Sequence, residues 1–553
     1  MCMLYHVHVH TLVDFPQEAW MEILLVRTDI IKDVRGGISA IIRSLLSLFY
    51  SSPHDASAAG ISLRLADQSM HRVFLQCGPF LADEAALHAA FCCKGSSGLK
   101  PCLLCQNIFN DKSTRNIVAG DASNFAQSHS CTEYSKLVLH TPATIAAVLR
   151  RLSQNADTLT QREFAELQTR LGWNHVPEGL LSDRRWSDIM DPTRVAMYDW
   201  MHVFLVNGVF NINMGLLMRE LKPAAGISYA TLHDYVSLFN WPSSVKYNTG
   251  VDALTPRRAK TSWDDCSLKA TASESLSLYP VVANYIQAVR DRTTSPLVVQ
   301  HCMCFLLLVK VLELLQTSAR GHVQPNVLQA AVEAHLNAFK ALYGAEATTT
   351  KFHASLHFAD FLGRYGFLPN CFVLERKHRS AKRFGNEVRN TSAAWDASVL
   401  REVTSNHLGL LSNLQHTYYD DDVCLLEPHV PSKRLLELLQ QHFDGISAEN
   451  CQTSATVRIN RWERVSVGDV VMVQQGNDTI LGEVRYLVAA AFAEGTSVVA
   501  GLLRWELLSE GLRAWKCKRK PDTPYLCMAD EIVCSIIWGG SGDVATALKP
   551  HRL

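Results

Sequence analysis

The sequence predicts a multidomain α/β protein with a long all-helical middle and a small β-barrel at its C-terminal end. Three observations predict it. Strand-like alternation is interleaved with one amphipathic helix over residues 1–140, apolar residues recur at helical spacing over 141–345, and short β-branched and aromatic runs separated by Gly and Asn-Asp turns fill 457–553. With 553 residues, 48% hydrophobic and 19% charged, the chain can bury several cores and falls outside the composition of disordered chains.

Residues 4–13 and 21–27 alternate as strands, a helix covers 38–49, and strand patterns return at 61–65 and 72–80. His6, His8 and His10 share one face of the first strand and read as an exposed face. Amphipathic helices are expected at 143–152, 161–171, 197–218, 278–289 and 298–315. A shorter helical stretch, 346–415, carries His353, His357 and Glu375. Residues 416–456 read as a linker holding Asp420-Asp-Asp422 and one helix at 432–442. Beyond it, 465–473, 480–487 and 498–507 supply strands, and Trp462, Trp505 and Trp515 supply a core for an SH3-like barrel. Such barrels occur in chromatin-associated modules, and packing against the rest of the protein is an equal reading.

Lys plus Arg and Asp plus Glu both number 53, so any grip on nucleic acid must come from local patches. Sixteen cysteines behind a start that lacks the basic segment and long apolar run of a secretory signal read as reduced thiols plus a metal site, not a disulfide framework. The most apolar stretch, 302–315, is interrupted by Lys310 and Glu313 and reads as a buried helix too short for a bilayer, so no membrane partner is expected.

Several motifs carry chemistry. Cys102-Leu-Leu-Cys105 follows Gly98-Leu-Lys-Pro101, a loop suited to a zinc knuckle, although a lone pair of this spacing also arises by chance in a cysteine-rich chain. His353 and His357 share one helix face and can present two imidazoles to one ion; such a pair is otherwise an ordinary core or surface feature. Together the two pairs make a Cys2His2 set for Zn²⁺. Cys92 and Cys93 are too close in sequence for comfortable joint ligation and read as buried thiols. Asp83, after the apolar run 73–81, suits either a divalent ion or the N-cap of a helix over 84–91. Glu375 precedes Arg376, Lys377, Arg379, Lys382 and Arg383, a set suited to phosphates beside a metal-bound carboxylate, or to a solvated helix with internal ion pairs.

The order Asp83, Cys102 with Cys105, Asp199-x2-His202, His353 with His357, Glu375 resembles the catalytic domain of eukaryotic cut-and-paste transposases with an RNase H-like fold. The group is the CACTA, Mirage and Chapaev type, together with the related catalytic subunit of the V(D)J recombinase; the match covers residues 1 to 415. The resemblance implies an RNase H-like mixed-sheet core in 1–140 and 346–415, interrupted by an α-helical insertion at 141–345 that carries the Asp199/His202 motif. It also implies Mg²⁺ held by three carboxylates, Asp83 and Glu375 among them, for in-line attack on a DNA phosphodiester. His202 and the basic residues after Glu375 would contact DNA, structural Zn²⁺ would hold the insertion, and two or more copies would assemble on transposon ends and target DNA in the nucleus. Counting strands back from Asp83 puts the strand for the first catalytic Asp before Met1, and Asp14, the only early substitute, falls in a turn. The expectation is an N-terminally incomplete or degenerate transposase with little or no strand transfer. Two alternatives stand beside it: a domesticated, non-catalytic DNA-binding or chromatin protein, and a zinc-stapled structural or interaction protein.

Overall fold

The computed structural model describes residues 20–51, 55–65, 67–110, 125–245, 249–319, 321–387, 395–413, 423–441, 449–460, 463–492, 495–540 and 542–550. The expected strand 4–13, its three histidines, Asp14 and Trp462 lie outside these. The chain is mixed α/β with a large β-sheet towards its C-terminus, and it divides into two compact units, Met1–Phe210 with Lys310–Asn413 and Asn211–Val309 with Leu414–Leu553. The helical region 141–345 is therefore shared between the units and does not stand as one body.

In the first unit, Gly37–Tyr50 is a helix whose Ile42, Leu45, Leu46 and Tyr50 form the buried stripe. Gly36 enters it at φ +83°, where a Cβ would meet Ala40 Cβ at 2.9 Å. The strand expected at 21–27 is not formed; Glu22 is buried there against Lys377 and His407, and no strand among the described residues pairs with the segment. Ile61–Arg64 and Met70–Val73 make an exposed antiparallel hairpin. The expected strand 72–80 breaks after Val73 and resumes as Phe80–Ala82, because Gly78-Pro79 intervenes and Pro has no N–H for a ladder. Phe80–Ala82 pairs in parallel with Ala196–Tyr198, setting Asp83 and Asp199 side by side at the carboxyl ends of both strands.

Helices Pro142–Asn155 and Gln161–Leu171 follow their capping signals, with reciprocal boxes at Thr141/Thr144 and Thr160/Glu163. The single helix expected at 197–218 is instead a strand, a one-turn helix Trp200–Phe204 and the helix Val209–Ala225. Asp199 starts the short helix by capping it, and a Cβ on Gly208 would lie 2.3 Å from the Val203 carbonyl oxygen, so the chain turns tightly there. The apolar stretch 302–315 lies in a longer helix, Pro296–Ser318, which is long and apolar enough to cross a bilayer; Cys302, Phe305, Leu308, Val309, Val311, Leu312 and Leu315 are buried in the protein.

Among the described residues, the second unit is built on a nine-stranded sheet, beside a three-stranded one of Arg464–Ser466, Thr456–Arg458 and Cys424–Leu426. The main path of the larger sheet runs Ile532–Ser535, Val470–Gln475, Asp478–Phe492, Gly495–Glu510, Ala514–Met528, Val544–Leu548, Trp538–Gly539 and Phe239–Asn240, with Cys451–Ser454 pairing on Asp478–Phe492. The run Val470-Val-Met-Val473 is buried on both faces: Val471 and Val473 join Val484, Leu487 and Ile532, whereas Val470 and Met472 join Leu481, Trp505 and Trp515. Bulges at Val484/Tyr486 and Leu503/Trp505 let strands of 15 and 16 residues bend around these cores. The sheet is thus larger than the barrel expected from 457 onward. It takes a strand from the supposed linker, whose Lys433–Gln440 helix is capped by Ser432, and another from the helical region. Asp469 fixes the latter: its carboxylate accepts from the Ser243 amide and hydroxyl at 2.9 Å and from the Ser466 amide at 2.9 Å.

Candidate metal centre and the adjoining polar site

The Cys pair and the His pair meet. Cys102, Cys105, His353 and His357 are all buried, and their ligand atoms lie within 4.8 Å of one another. His357 Nε2 stands 3.5 Å from Cys102 Sγ, 3.6 Å from Cys105 Sγ and 3.3 Å from His353 Nε2. Zinc bonds of about 2.3 Å to sulfur and about 2.05 Å to nitrogen at tetrahedral angles require S···N near 3.55 Å and N···N near 3.35 Å. The three distances from His357 Nε2 match these values, and the cluster could hold a metal such as zinc.

The local structure explains the fit. The Leu104 amide donates to Cys102 Sγ at 3.3 Å, which turns the loop back so that Cys105 faces the same point. Asn107, fully buried, donates to the Phe125 and Lys136 carbonyls and accepts from the Val138 amide, pinning the returning segment. The His pair does not ride one continuous helix: Thr350–Ser355 ends first, and His357 takes the N-cap position of Phe358–Tyr365. Tyr134 and Tyr198 flank the His357 ring at 6.2 and 6.1 Å, closing the centre to water. Burial alone pushes the Cys102 thiol up, but a hydrogen bond from Cys105 and the two imidazoles hold it well below the usual thiol range. Cys105, pushed up by burial and then by the Cys102 thiolate, sits well above it, so the pair shares one proton that a cation would displace. Cys92 and Cys93 are buried thiols outside the cluster, as expected.

The oxygen ligands gather differently. Asp83 is a helix N-cap, accepting the Ala86 amide at 2.6 Å. Asp199 is fully buried and accepts from the Met201 and His202 amides, the Cys371 amide at 3.0 Å and His202 Nδ1 at 2.5 Å. His202, 19% exposed, turns its Nε2 towards Glu375 Oε1 at 3.7 Å, and the Glu375 carboxylate is open to solvent. Burial lowers the His202 pKa, but the Asp199 hydrogen bond, then the charges of Asp199, Asp83 and Glu375, raise it overall. His202 is thus bonded to Asp199, faces Glu375 and feels the charge of Asp83, and neither Asp83 nor Glu375 belongs to a group of three or more ligand atoms close enough for one ion among the described residues.

Arg376, Arg379, Lys382 and Arg383 line the exposed side of the helix Phe372–Glu387 that begins beside Glu375. Lys377 does not join them. It is buried, 3.5 Å from Glu22 Oε2 and 2.8 Å from His407 Nδ1, because its place on the helix turns it into the core. Three residues not singled out from sequence complete the site. Cys371 supplies its amide and thiol to Asp199, and burial pushes that thiol well up. Lys351 donates to the His202 and Val206 carbonyls, capping the short helix, and burial lowers its pKa. Glu84, raised by burial, accepts from the Thr350 hydroxyl at 3.2 Å. A lysine two residues before His353 was the available signal for the second; the other two carried none.

No protein-family model matches the chain, and no curated protein matches it.

Proposed function

We propose that the chain is a transposon-derived DNA-binding protein of the CACTA, Mirage and Chapaev transposase type, with an RNase H-like core and weak or lost strand-cleaving activity. One observation carries the reading. Asp83 follows the strand paired beside the one that leads to Asp199, Asp199 bonds His202, and His202 faces Glu375, in the same unit in which the Cys and His pairs assemble a zinc-type centre. The parallel pairing that sets Asp83 beside Asp199 is in keeping with an RNase H-like core.

Two-metal attack on a phosphodiester needs carboxylates free to bind Mg²⁺. Asp199 is occupied by backbone amides, His202 and Cys371, which leaves Asp83 and Glu375 at this site. That favours the non-catalytic, domesticated reading over an active enzyme. The exposed cations following Glu375 are proposed to grip DNA backbone, two or more copies to assemble on DNA, and the nucleus to be the compartment. The C-terminal sheet, with Trp505 and Trp515 in its core, is proposed to serve as an SH3-like chromatin module.

A salt titration of DNA binding tests this. Arg379→Glu with Lys382→Glu should lower affinity roughly tenfold or more and flatten the salt dependence, while Mg²⁺ produces no nicking. Unchanged affinity would leave a zinc-stapled structural protein as the reading, and robust Mg²⁺-dependent cleavage would overturn the claim of weak activity.

A further inference from the structure

The polar site around Asp199 has a ligand set that the DNA-binding reading does not use. The carboxylate of Asp199, one nitrogen of His202 and the sulfur of Cys371 lie within 4.8 Å of one another. We propose that these three residues form a second metal site, selective for Zn²⁺ and its relatives Co²⁺ and Cd²⁺ over Mg²⁺, with three protein ligands and a fourth position open towards Glu375.

Preorganisation is the first argument. Asp199 is held by the Met201, His202 and Cys371 amides, none of which must be surrendered, because the Oδ2 lone pair an ion would take is the one now facing His202 Nδ1. His202 Nδ1 already faces Asp199 Oδ2, so the ring needs no rotation, only a small retreat to make room. Its Nε2 faces Glu375 Oε1 at 3.7 Å, from which a small side-chain movement would let this outer carboxylate hold the N–H of a metal-bound imidazole.

Ligand chemistry is the second. A thiolate and an imidazole beside one carboxylate suit borderline ions, whereas Mg²⁺ takes oxygen ligands and water. On binding, the Cys371 S–H proton passes to solvent, and the His202 proton moves from Nδ1 to Nε2, where Glu375 accepts it. Asp199 and Cys371 are buried, but His202 is partly exposed and Glu375 is 58% exposed, so an ion and a water molecule can reach the fourth position. Three ligands plus an open position is the arrangement of reactive zinc, in contrast to the closed Cys2His2 set. None of this depends on the transposase reading.

Metal content of the full chain, dialysed against micromolar Zn²⁺, tests the proposal. Two equivalents are expected in the wild type, and one each in Cys371→Ser and His202→Ala. A single equivalent in the wild type, or two retained by both variants, would overturn it. If either variant fails to fold, Co²⁺ titration of the wild type decides. A thiolate-to-cobalt charge-transfer band that grows further with the second equivalent supports the site, and a second equivalent without such a band removes it.

Discussion

The two clusters of the first unit contain the same kinds of side chain and satisfy them by opposite means. At the Cys102 centre, four buried ligand atoms lie within 4.8 Å of one another, and one thiol is held well below and the other well above the usual thiol range. At the Asp199 site every lone pair already meets a proton of a neighbour. Buried polar groups must be partnered, so a cation is expected to matter to the stability of the first cluster and not to that of the second. The first cluster is thus the one whose stability is expected to depend on an ion, and at the second an ion is optional.

The largest expected effect breaks the comparison at its stronger end. Cys105→Ser should lower stability by on the order of 5 kcal/mol, roughly 5–10 °C in Tm, because metal-binding energy at such a centre is folding energy. A strong chelator should bring the wild type down to the variant, and a wild-type Tm indifferent to chelation would end the contrast. Next in size, Asp199→Ala leaves three amides and an imidazole without their acceptor and should cost about 3 kcal/mol in denaturant unfolding. In chelator, where no ion adds to the difference, a loss of about that size should remain, and Asp199→Asn should recover roughly half of it.

The smallest effect concerns the scaffold behind His353. His335 packs on Phe339, which stacks on Phe352 at 4.5 Å, and burial lowers the His335 pKa to about 3. The unfolded value is about 6.5, so below that pH the unfolded chain takes the proton first. The contribution of neutral His335 is complete above pH 6.5 and is lost as pH falls towards 3, about 2 kcal/mol by pH 5. His335→Leu should flatten the stability profile between pH 7 and 5 by about that amount; an unaltered profile would place the acid sensitivity elsewhere.

What could be read from the sequence was local. The Cys2His2 set was legible because each pair carries its own spacing, and helix 161–171 because its apolar residues recur at helical spacing. The burial of Lys377 was not, since its partner Glu22 lies 355 residues away and a basic run looks alike in solvent and in a core. Nor was the division of the helical region, because periodicity reports that a face is covered without saying what covers it. The supposed linker failed for a related reason. Cys424–Leu426 and Cys451–Ser454 are only three and four residues long, and such short runs become strands by finding an edge to join.

The clamp of Ser243 on Asp469 also has a consequence in time. The two residues are 226 positions apart, and synthesis at about 5–20 residues per second separates their appearance by roughly 11–45 s. Throughout that interval the Phe239–Asn240 strand has no ladder to enter, and the nascent helices around it wait for the last strands of the chain before their half of the protein can close.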